Sequence, residues 1–140
     1  MKKRIIRKFT GIAAGCLAAV SLCTASVEAT VINNTPVQSP DMIDGSYAYG
    51  STNYTENLAY ATTTHSINSI KTARVYGTFR MGSSYIQLNS ADSADYSGTT
   101  VTAYLNKPSN VWFCAGSHGH HFVSGNSGYW EGDSYLGEQF

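Results

Sequence analysis

Beyond residue 29 the chain alternates apolar and polar positions with a period of two, as half-buried strands do. In TARVYGTFRM, Ala73, Val75, Gly77, Phe79 and Met81 share one face, and Arg74, Tyr76, Thr78 and Arg80 share the other. YIQLN groups Ile86 with Leu88, and TVTAYL groups Val101, Ala103 and Leu105. NVWFCA sets Val111, Phe113 and Ala115 against Trp112 and Cys114. Turn-formers separate these runs: Gly82-Ser83-Ser84, the stretch 89–98, and Asn106 to Asn110. No apolar stripe at helical spacing is sustained for three turns. The pattern predicts an all-β fold, a small antiparallel β-sandwich or barrel-like single domain, over residues 46–140. Residues 30–45, with Pro36 and Pro40, are expected as a loose N-terminal arm. A membrane-spanning barrel is not expected.

Residues 1–29 break this pattern. Lys2, Lys3, Arg4, Arg7 and Lys8 precede an Ala-rich apolar run from Phe9 to about Ala25, followed by Val27-Glu28-Ala29. That layout predicts a secretory signal peptide cut after Ala29 and a secreted, extracellular product. The run, interrupted by Gly, Ser and Thr, is marginal for spanning a bilayer, so no stable membrane insertion is expected.

Removing the leader changes the charge and the cysteine count. The whole chain is neutral, with nine basic and nine acidic residues. The remaining 111 residues (140 minus 29) keep Lys71, Arg74, Arg80 and Lys107 against eight acids, so four minus eight gives −4. A charge-poor acidic domain is unsuited to nucleic acid, whose binding rests on Lys and Arg at phosphates. Cys16 and Cys23 leave with the signal, which strips Cys114 of any intrachain partner. Stability must then come from a core, and the length suffices for one compact domain.

Candidate chemistry concentrates in CAGSHGHHF, residues 114–122. The strand pattern reads this stretch as a hairpin, with Gly116 and Gly119 in the loop, His118 at its tip, and His120 and His121 opening the return strand. His118, His120 and His121 are candidate ligands for weak zinc or copper binding, since histidines on one strand face can chelate. No Cys-x-x-Cys or His-Glu-x-x-His motif accompanies them, and no cofactor is expected. A Cys114–His nucleophilic pair would need an orienting third group. Trp112 to Ala115 reads more naturally as a buried strand with a small apolar cysteine. Asp92 with Asp95, and Glu131 with Asp133, lie in polar stretches where solvated acids suffice, so glycosidase-type chemistry is not expected.

Ten Tyr and two Trp among 111 residues exceed what such a core needs. Flat rings at a surface bind sugars and proteins at small entropic cost. Trp112, Tyr129, Trp130 and Tyr135 are therefore the candidate ligand-binding residues. The expected function is non-enzymatic binding at or outside the cell envelope, with a cell-wall glycan or surface protein as partner. A small secreted hydrolase and a His-rich metal-binding protein are the alternatives from residue chemistry.

The stretch NYTENLAYATTTHS, followed by TARVYGTF, resembles the central region of the lactococcin-like single-peptide bacteriocins. The resemblance is carried by Tyr54, Tyr60, His65, Ser66, Ala73 and Tyr76. It implies a small exported β-sandwich and, as an alternative function, interference with cell-wall synthesis.

Overall fold

The computed structural model describes residues 21–22, 29–89, 93–95 and 97–139. It is all-β, with two antiparallel sheets in one domain. The strands are β1 (Ser21–Leu22), β2 (Thr30–Asn34), β3 (Val37–Gln38), β4 (Tyr49–Thr55), β5 (Leu58–Thr64), β6 (Ile70–Met81), β7 (Ser84–Asn89), β8 (Ser93–Asp95), β9 (Thr100–Asn106), β10 (Phe113–Ser124) and β11 (Tyr129–Gln139). The larger sheet runs β1-β7-β6-β10-β11-β2, and β8 pairs with β6 beside β7. The smaller sheet runs β3-β4-β5-β9. The expected leader lies outside the described residues except for Ser21–Leu22, whose backbone pairs with β7, and Ala29.

The alternation read in the sequence builds the core. Ala73, Val75 and Phe79 of β6 are fully buried and meet Ala59 and Ala61 of β5, Val101 and Ala103 of β9, Ile86 and Cys114. A second cluster joins Ile43, Ala48, Val123 and Trp130. Two buried polar pairs link the sheets: the Thr52 and Ser117 hydroxyls share a hydrogen bond, and His121 of β10 reaches Thr63 of β5.

Residues 30–45 are not a loose arm. β2 pairs with β11 from Thr30↔Gln139 to Asn34↔Tyr135, and β3 pairs with β4. Thr35 Oγ1 accepts the Thr52 amide at 3.1 Å. The physical reason is edge coverage: β11 has an open row of backbone groups that β2 satisfies. Two prolines in a short segment signalled turns between edge strands rather than an absence of pairing.

The hairpin also lies elsewhere. β10 continues unbroken through 116–121 because the equally long β6 offers partners along its length, from Phe113↔Arg80 to Ser124↔Ile70. The turn falls at Gly125-Asn126-Ser127-Gly128, closed by the Gly125 N–H donating to Gly128 O at 2.9 Å. Gly119 serves close approach instead of a turn. A Cβ there would sit 2.8 Å from His121 Nε2 and 2.9 Å from Ser134 Oγ.

Candidate functional site

A β-bulge between Cys114 and Gly116 decides which side chains of β10 face outward. The extra residue resets the alternation, so Cys114 and Ser117 both point into the core. Phe113 is consequently half-exposed on the outside, the reverse of the regular-strand expectation, in which it faced with Val111 and Ala115. Beyond the bulge, His118, His120 and Phe122 face out, whereas Gly119, His121 and Val123 are buried.

The outer face of the large sheet carries registered rungs. In the central rung Tyr76, His118 and Tyr135 lie side by side on β6, β10 and β11. The His118 ring is sandwiched between them, its centroid 4.9 Å from that of Tyr76 and 4.4 Å from that of Tyr135, with interplanar angles of 20° and 18°. The next rung aligns Arg74, His120 and Asp133, and the one after it Thr72, Phe122 and Glu131. At one end Arg80 lies over the Tyr85 ring at 4.0 Å and meets Glu138 at 3.5 Å. At the other end Tyr129 stands 72% exposed, its ring 6.2 Å from Phe122.

Polar contacts fix these rings. His118 Nε2 donates to Asp133 Oδ1 at 2.7 Å, and His120 Nδ1 meets the same oxygen at 3.0 Å. His120 Nε2 meets Glu131 Oε1 at 3.2 Å. Burial alone would raise the Asp133 carboxyl, but the hydrogen bonds from His118 and His120 outweigh it and hold it below the usual range. Aromatic sandwiching and a carboxylate anchor make His118 the most constrained ring on this face.

His121 stands on the opposite side of the sheet and cannot join His118 and His120 around one ion. It is fully buried. Thr63 Oγ1 donates its proton to Thr72 O at 2.7 Å, so His121 Nδ1 donates to Thr63 at 2.9 Å. Nε2 then accepts from Ser134 Oγ at 2.7 Å. That is the neutral tautomer, and burial pushes its pKa down to about 4, helped by the charges of His120 and His118. Glycine makes room for the ring in the facing sheet, where a Cβ on Gly50 would overlap it. Among the described residues no three His, Cys, Asp or Glu side chains are grouped to hold a metal ion.

The aromatic candidates divide by strand parity. Trp112, ahead of β10, is 65% exposed, with its backbone N–H donating to Arg80 O at 2.7 Å. Tyr129 and Tyr135 face outward. Trp130 does not: it is buried, stacked parallel to His121 with centroids 6.3 Å apart. Adjacent residues of one strand point to opposite faces, so Tyr129 and Trp130 could not both be surface rings. Cys114 is buried and donates to Gly116 O, and burial pushes its thiol up to about 11. A thiol this protonated is a poor nucleophile. Native protein should therefore resist an aromatic disulfide reagent for as long as it stays folded and react once denatured; rapid labelling of the native state would contradict the burial.

Sequence reasoning missed the polar end of the sandwich. Lys71 is fully buried, its ammonium donating to Ser69 O at 2.8 Å and Ser66 O at 3.2 Å. His65 Nε2 donates to Ile43 O at 2.9 Å, and its Nδ1 meets Ser69 Oγ at 2.8 Å. Thus the His65–Ser66 pair of the bacteriocin resemblance ties loops together, with the His65 ring buried in the fold. Of the other resembling residues, Ala73 is core and Tyr54 and Tyr60 are half-buried, leaving Tyr76 on the outer face. No protein-family model, curated protein or solved structure matches the chain.

Proposed function

We propose that this chain is a secreted, non-enzymatic β-sandwich module that binds a cell-wall glycan or surface protein at the cell envelope, through the outer face of its large sheet. The carrying observation is the Tyr76–His118–Tyr135 stack, held rigid by Asp133 at the middle of a face that ends in exposed Tyr129. Rigid rings bind well because little freedom is lost on contact. The protonated, buried Cys114 supports a role without covalent chemistry. The leader pattern and the acidic balance of residues 30–140 support a place outside the cell and a partner other than nucleic acid.

Retention of the leaderless chain on purified cell wall tests the reading. Tyr135→Ala should weaken retention by about 1–3 kcal/mol, as loss of an interface anchor does, while the β-type circular dichroism persists. Retention unchanged in this variant would mean that the face is not the contact. Following the growth of related living cells in parallel separates a passive module from the lactococcin-like alternative, because interference with wall synthesis arrests growth.

A further inference from the structure

A second candidate site lies beyond the end of the aromatic face, where the loop 39–43 meets the β10–β11 turn. The two are latched together by Asp44. Its carboxylate accepts the Asn126 and Ser127 amides, each at 2.7 Å, and its own N–H donates to Ser127 Oγ at 2.7 Å. Those amide bonds hold the Asp44 carboxyl below its ordinary range. Asp44 takes a positive φ of 50° and Gly45 one of 83°, so the loop turns sharply back on itself at this point. The Ile43↔Ser46 bridge closes that turn.

Between the latched loops is a cavity of about 220 Å³ lined by Asp41, Met42, Ser127, Tyr129 and Trp130 among others. Sites for drug-sized ligands are roughly 300–1,000 Å³, so this one suits a single headgroup or side chain rather than an extended glycan. Its lining is electron-rich. Trp130, from the core side of β11, and Tyr129, from its outer side, meet at this end of the sheet, Met42 adds a polarisable thioether, and Asp41 a carboxylate. Neither Lys nor Arg lines it. The Ser39 hydroxyl is already committed, donating to Asp41 O at 2.7 Å and accepting from the Ala48 amide at 3.0 Å. An anion would face Asp41 with no cationic side chain in the lining to offset it. A cation would find aromatic residues, sulfur and a carboxylate at one place.

We infer that this cavity binds an organic cation, an alkylated ammonium group carried by a protein side chain or a small headgroup. The site is separate from the Tyr76–His118–Tyr135 stack and does not depend on that face being the envelope contact. The Asp44 latch fixes both walls before a ligand arrives, which limits the ordering cost of binding.

Nuclear magnetic resonance titration of the leaderless chain tests this, with the Trp130 indole N–H as reporter. The probes are choline, its neutral isostere 3,3-dimethylbutan-1-ol, and Nα-acetyl-lysine methylamide. Choline or the lysine derivative should shift the reporter saturably, and the neutral isostere should bind at least several-fold more weakly. Tyr129→Ala should reduce cation affinity by about 2- to 30-fold, the scale of one cation–π contact. Asp41→Asn, on an exposed loop, should also weaken it, whereas Tyr104→Ala on the other sheet should not. Preference for choline points to a headgroup as the source, and preference for the lysine derivative points to a protein. Equal binding of the neutral isostere, or no saturable shift with any probe at tens of millimolar, overturns the inference. Wall retention measured on the same preparations keeps failure here distinct from failure of the outer-face reading.

Discussion

Trp130→Ala is expected to lower the unfolding free energy by about 3–5 kcal/mol, the range for deleting a large buried aromatic side chain. The ring is 9% exposed, clusters with Ile43, Ala48 and Val123, and runs parallel to the His121 imidazole with centroids 6.3 Å apart. It also covers Gly132, where a Cβ would meet the indole. Truncation would open a void between the β10–β11 hairpin and the loop at 43–48, neither of which can collapse into it without breaking the Asp44 latch. Urea denaturation followed by far-ultraviolet circular dichroism measures the effect. A midpoint unchanged by the substitution would return the ring to the surface.

Acid should unfold the domain through His121. At neutral pH the imidazole is uncharged in both folded and unfolded chains and contributes no difference. As pH falls through 6.5, the unfolded chain takes up a proton that the folded chain refuses until about 4. The unfolded state then binds more protons, so stability drops across this window. The gap corresponds to about 3 kcal/mol lost by pH 4, at about 1.4 kcal/mol for each tenfold step in acidity. The carboxyls of Asp133 and Asp44 are held below their ordinary range, so their losses fall at lower pH than most of this window. Denaturation at a series of pH values, on the native chain and on His121→Gln, isolates the contribution. The variant should start less stable at neutral pH, because Ser134 and Thr63 lose an ideal partner, and should show a flatter profile between pH 7 and 4. Parallel profiles would show that His121 is not the titrating group.

The period-two pattern was sufficient for the fold class. β6, β9 and the inward positions Val75, Phe79, Val101 and Ala103 follow directly from it. What escaped it was set by partners distant in the chain. A glycine-histidine stretch reads locally as a turn, yet β6 holds it straight as the middle of a twelve-residue strand. The bulge at Cys114 is invisible to simple alternation and inverts the side on which Phe113 emerges. Edge pairing of 30–34 depends on β11, roughly a hundred residues later, which no local window reaches. Within the candidate site, Tyr135 and Tyr129 were legible as outward rings. Tyr76 and His118 gained their significance only when the register placed them side by side. The burial of Trp130 was implicit in its adjacency to Tyr129, since both could not face water from one strand.

The strand order has a kinetic consequence. Among the described residues β2 is paired only by β11, and β10 separates β6 from β11, so the large sheet cannot close until the later strands have been synthesised. A chain emerging N-terminus first therefore presents β2 and one side of β6 as unpaired edges for most of its passage. Such non-local pairing places folding on the millisecond-to-second scale. It also means that shortening the chain at its far end would unravel the near end. Loss of 129–139 would strip β2 of its one partner among the described residues and bare the edge of β10, leaving an aggregation-prone remnant rather than a smaller stable domain.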